Sequence, residues 1–217
     1  MINQIRLIKT FLNLVKIDSP TGNEKEVGDF VLKTLRRIGI KAIMDKIGNV
    51  IAKIPGKGQP LFLNAHLDTV QPGENIKPRI KNGVIRSDAT TILGADNKVA
   101  VAAIIEALAA LKEKDINKSI ETVFTVSEEI RSLGAVNLNY RSLKSKFGFC
   151  FDRGDKIGTI VLASPFYDQI NITIKGKSSH AAFPERGINA LRIASMAINE
   201  LKLGKLDSST AFNVGII

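Results

Sequence analysis

His66, Asp68, Asp96, Glu128, Glu129 and Asp152 are the residues of this sequence whose types and spacing could do chemistry. In His66-Leu67-Asp68 the imidazole and the carboxylate stand two residues apart. On an extended chain they point to the same side, which makes a metal ligand with a neighbour able to orient it. Leu93-Gly94-Ala95-Asp96 delivers a carboxylate at the start of a helical run, Glu128-Glu129 follow the apolar stretch Thr122 to Val126, and Asp152 follows Phe147 to Phe151. Ionised carboxylates gathered in one crevice repel one another unless a cation neutralises them, so a divalent metal is the economical reading. Mixed nitrogen and oxygen donors suit zinc, manganese or cobalt, and two ions sharing a carboxylate would stand roughly 3.5 to 4 Å apart as a hydrolytic centre. Each signal alone has a plainer reading. The triplet could be an ordinary strand end, the glutamate pair a solvated turn, and Asp96 a helix N-cap. The weight comes from their joint occurrence at successive strand ends of a chain with only two histidines.

The elements that must position these groups follow from periodicity. Ile5, Ile8, Leu12 and Val15 have helical spacing within Ile2 to Lys16, and a second helix runs from Asn23, with Glu24 and Glu26 placed to complement its dipole, to Gly39. Strands are predicted at Asn49 to Ile54, Leu61 to Ala65, Thr122 to Val126 and Phe147 to Phe151, with helices at Asp96 to Lys112 and Leu133 to Tyr140. Asn82-Gly83 marks a hairpin between residues 79–81 and 84–86. Alternating helices and short apolar strands predict an α/β fold, a mainly parallel sheet covered by helices on both faces, whose ligands bind at the carboxyl ends of the strands. After Ile160-Val161-Leu162 the pattern changes. Asp168 to Lys175 alternates polar and apolar residues like a strand with one wet face, and a helix follows over Asn189 to Leu203, so a boundary is expected near Ser164 between domains 1–164 and 165–217.

Composition excludes other classes. The 217 residues suffice for one good core. The lone Cys150 cannot form an internal disulfide and the N-terminus lacks a signal-peptide pattern, so a cytoplasmic protein is expected. Apolar runs such as Val99 to Ile105 are far shorter than the roughly 20 residues of a membrane span. The net charge of +10 is spread over helix faces and loops without an arginine-rich arm or an aromatic row, so no nucleic-acid partner is expected.

Read as a whole, the sequence resembles the peptidase T and carboxypeptidase G group of co-catalytic zinc peptidases and acylases. The resemblance is carried by Ile17 to Glu24, His66-Leu67-Asp68-Thr69-Val70, Pro72-Gly73, Ile92 to Lys98, Ser127-Glu128-Glu129, Asp152, Ser179-His180-Ala181-Ala182, Pro184-Glu185 and Gly187 to Ala190. The Leu-Gly-Ala-Asp run and the hairpin insert at 74–92 are most similar to the peptidase T branch.

That resemblance implies a first zinc on His66, Asp96 and Asp152, a second on Asp96 and Glu129, and Asp68 as the partner that orients His66. It implies hydrolysis of the amide bond of a short peptide, tripeptides above all. Glu128 would take a proton from the attacking water and return it to the leaving amine, while zinc polarises the carbonyl. It further implies that residues 165–217 are part of a small α+β lid through which the protein forms a homodimer. His180 would then reach a partner's substrate, although a structural turn histidine is its plainer reading. The group's second zinc takes a final histidine from beyond the lid. This chain has only His66 and His180, so a C-terminally truncated chain with an incomplete second site is expected. An N-acyl amino acid acylase of the same group and a non-catalytic remnant are the alternatives.

Overall fold

The computed structural model describes residues 1–114, 118–163 and 166–215. Contacts divide the chain into Met1–Gly154 and Asp155–Ile217. The boundary expected near Ser164 falls outside the described residues.

The first unit opens with helices α1 (Gln4–Val15) and α2 (Lys25–Arg37), each burying one apolar stripe. Asn3 caps α1 by accepting from Arg6 N at 3.0 Å. Next come β1 (Lys41–Met44), β2 (Val50–Ile54), β3 (Lys57–His66) and the hairpin β4 (Arg79–Lys81) and β5 (Val84–Arg86). Asn82 and Gly83 take φ values of 51° and 74°, as the predicted two-residue turn requires. Then follow α3 (Ala95–Glu113), β6 (Lys118–Thr125), α4 (Leu133–Val136) and β7 (Gly148–Cys150).

The sheet order is β1-β2-β6-β3-β7. The β3–β6 and β3–β7 pairs are parallel, whereas β2 is antiparallel to both β1 and β6. The sheet is therefore mixed, with β2 alone running against the other strands. The register fixes two faces. Ala42, Ala52, Thr122 and Leu63 stand in one row, beside Val50, Phe124 and Ala65 in the next. On this face α1, α2 and α3 pack through Leu14, Val31, Leu35, Val101 and Leu108 to form the main core. The opposite face carries Ile51 and Val123, covered by Leu138 with Leu143 packed beside them. The three long helices thus share one face, and among the described residues of this unit Leu138 and Leu143, from the stretch after α4, pack on the other. The expected helix over Leu133 to Tyr140 is shorter than predicted: Asn137 N still donates to Leu133 O at 3.1 Å, but Leu138 N turns to Ala135 O at 3.1 Å and closes the helix in a tighter turn.

In the second unit, α5 (Ala190–Glu200) starts at Asn189, whose side chain accepts from Arg192 N, and a short pair joins β8 (Gly204–Lys205) to β9 (Ala211–Phe212). The alternating segment Asp168 to Lys175 forms no strand, a correction to its expected place in a sheet. Alternation prepares a surface, but a strand also needs a hydrogen-bonded neighbour, and no described strand pairs with it. None of the described residues of this unit is buried.

Candidate active site

β3 lies between β6 and β7, so its carboxyl end is held from both sides. His66 pairs in register with Thr125, and Leu67 N donates to Thr125 O at 2.8 Å. The His66 side chain is 2% exposed and that of Asp68 is fully buried, with Asp68 Oδ1 3.3 Å from His66 Nδ1. That approach is too poorly aligned for a well-formed hydrogen bond, and Nδ1 has no other partner. Asp68 also accepts from Thr21 Oγ1 at 2.9 Å, Glu128 N at 2.9 Å and Glu129 N at 3.1 Å. Burial disfavours the Asp68 carboxylate, but His66, these two backbone N–H groups and Thr21 together outweigh it and hold its pKa below the ordinary value.

On its other edge the imidazole faces acids. His66 Nε2 lies 3.2 Å from Asp96 Oδ1 and 3.7 Å from Asp152 Oδ1. Gly94, at φ 66°, turns the chain into α3, and the first residues of that helix, Asp96 and Asn97, remain non-helical. Asn97 Nδ2 donates to Phe151 O at 2.5 Å, which ties the start of α3 to the segment after β7 and brings Asp152 beside Asp96. Ligand atoms of His66, Asp96 and Glu129 lie within 4.8 Å of one another, as do those of His66, Glu128 and Asp152. The structure therefore brings together all six of the predicted residues at the strand ends. Glu128, expected only as a base, also stands at ligating distance from His66 and Asp152. His180 belongs to the second unit, where it is exposed and its Nδ1 accepts from Ala182 N at 3.1 Å.

The electrostatics of the cluster fit a divalent cation. Burial raises the pKa of Asp152, and Glu128, Asp96 and Asp68 raise it further against the opposing effect of His66. Glu129 is raised by burial and by the same kind of crowding. Burial lowers the His66 pKa, but Asp68, Asp152 and Glu128 reverse this and carry it up to about 9. A nitrogen donor among mutually repelling carboxylates matches the donor set of zinc or a similar ion.

Several positioning groups were not read from the sequence. Glu24, at the N-cap of α2, makes no side-chain capping hydrogen bond to that helix. It is buried, and its Oε1 accepts from Gly22 N, Ser127 N and Ser127 Oγ. Asn49 accepts from Val126 N at 3.1 Å and donates to Gly134 O at 2.9 Å, bracing both ends of the turn that carries Glu128 and Glu129. Lys98 is fully buried and donates to Ile17 O at 2.7 Å; burial draws its pKa down to about 8 against the charge of Asp18.

Residues 62–200 match the profile of peptidase family M20/M25/M40. The chain belongs to this family. Over 99% of its length it is 37% identical to the uncharacterised protein YqjE of Bacillus subtilis, covering 61% of that protein. A tripeptidase structure from Staphylococcus aureus superposes with TM-score 0.81 at 37% identity, over 96% of this chain and 59% of that one. Aminopeptidase PepT from Bacillus cereus superposes with TM-score 0.75 at 38% identity, over 95% and 59%. This M20 chain is thus peptidase T-like, and it spans about three-fifths of the length of the relatives it matches.

Proposed function

We propose that this chain carries the metal-binding part of a zinc hydrolase site that cleaves the amide bond of short peptides, with tripeptides as the substrate class. The observation that carries the reading is the convergence of His66 Nε2 with Asp96, Asp152, Glu128 and Glu129 at the carboxyl ends of the strands. His66, Asp96 and Asp152 would hold one ion, and Asp96 with Glu129 would bear on a second. When bound, the ions supply Lewis-acid polarisation of the scissile carbonyl and neutralise the acidic cluster. Asp68 stands 3.3 Å from the Nδ1 edge of His66, and the other edge, Nε2, faces the acids. Glu128 takes a proton from the attacking water and delivers it to the leaving amine. The reading extends to a cytoplasmic protein that dimerises through residues 165–217 and in which His180 contacts substrate.

Glu128 has a second reading, as a ligand, because it groups with His66 and Asp152. Glu128→Gln separates the two when zinc content and tripeptide turnover are measured together. Zinc retained with turnover reduced about 10²- to 10⁴-fold supports the base; zinc lost supports the ligand. Faster turnover of N-acyl amino acids than of tripeptides by the parent would transfer the reading to an acylase.

A further inference from the structure

We infer that Glu24 is a positioning residue of this site, holding the turn from which Glu128 and Glu129 project, so that its loss loosens metal binding although it is no ligand. The inference rests on the metal-site reading above. Glu24 is 6% exposed, and its Oε1 accepts from Gly22 N at 2.8 Å and from Ser127 N and Ser127 Oγ, both at 2.9 Å. It stands at the N-cap of α2, yet its side chain caps none of that helix's N–H groups. Its acceptor capacity is instead spent 103 residues away, on Ser127.

Ser127 needs that support. It adopts φ 52°, a left-handed conformation that a residue with a Cβ holds only when its surroundings impose it. With Ser127 so turned, the next two N–H groups, of Glu128 and Glu129, both point to Asp68, at 2.9 and 3.1 Å. The segment that carries Glu24 grips the other half of the site as well. Thr21 Oγ1 donates to Asp68 Oδ2 at 2.9 Å, Ser19 Oγ donates to Leu67 O at 3.0 Å, and Thr69 N donates to Ser19 O at 3.0 Å. Residues 19–24 therefore lock the His66 strand end and the glutamate turn into one frame, and Glu24 is the member that reaches the turn.

The test is a cobalt(II) titration of the purified chain, followed by visible absorption. Glu24→Ala is expected to weaken cobalt affinity about 10- to 100-fold and to alter the absorption bands, while Glu24→Gln, which keeps the acceptor oxygen, stays within about threefold of the parent. A Glu24→Ala protein with native circular dichroism and the parent's affinity and spectrum overturns the inference. Should Glu24→Ala fail to fold, Ser127→Ala decides, because it deletes only the hydroxyl donor. Weakening of about 3- to 10-fold then supports the inference and unchanged affinity overturns it. A parent chain that binds cobalt(II) but cleaves no peptide counts against the hydrolase reading alone, and the affinity comparison still stands.

Discussion

Asp68 receives donors from two separate parts of the chain, Thr21 and the backbone of Glu128 and Glu129, and faces His66 Nδ1 at 3.3 Å. A fully buried carboxylate is costly unless so many donors meet it. An amide in its place would present an NH2 group to one of those donors. Asp68→Asn is therefore expected to weaken zinc binding about 10- to 100-fold, measured by competition with a chromophoric chelator. Unchanged affinity would remove Asp68 from the positioning network. The six strand-end residues were legible in the sequence because each announces itself locally, by a triplet, a glutamate pair or a position after an apolar run. Glu24, Thr21 and Asn49 gave no such signal. Their partners lie tens of residues away, and only the folded chain shows that a polar side chain in a loop has been spent on another loop.

At the scale of elements, two polar ties hold the first unit together. Arg6 grips the buried Glu106 through Nε at 2.6 Å and Nη2 at 2.9 Å, joining α1 to α3. Arg6→Ala would leave that carboxylate with Asn3 N alone, so a loss of about 1–3 kcal/mol is expected in urea unfolding. On the opposite sheet face Glu121 pairs with Lys53 at 2.9 Å and accepts from Lys144 N, Ser145 N and Ser145 Oγ. Burial alone would raise its pKa, but Ser145, Lys53 and the backbone donors bring it down to about 2. A depressed folded-state value gives stability that is fully present above the unfolded pKa of roughly 4.3 and is lost as pH falls through about 2. Glu121→Gln should therefore cost roughly 1–3 kcal/mol at pH 7 and progressively less towards pH 2, seen as converging urea midpoints. The helices were readable because an amphipathic stripe is local. β1 was not predicted at all: only four residues long, it exists because Asp45 Oδ1 accepts from Ile47 N, Gly48 N and Asn49 N and folds the chain back onto β2. Segment 168–175 taught the converse, since its alternation was clear and no described strand pairs with it.

Over its whole length the chain comprises a well-buried sheet unit and a second unit with no buried described residue. Leu191 and Met196 on α5 are 71% and 61% exposed, and apolar side chains left in water on one helix favour association. A dimer is accordingly expected in sedimentation equilibrium, and Met196→Glu should shift it towards monomer. No described helix is long and apolar enough to cross a membrane. The acids that converge on His66 at the strand ends predict a metal site built on that imidazole. The most direct test is the zinc content per chain after dialysis, by elemental analysis, for the parent and for His66→Ala. At least about one ion per parent chain, lost in His66→Ala while circular dichroism stays native, is the predicted result. A folded parent that retains no zinc, or a His66→Ala chain that retains as much as the parent, would contradict it.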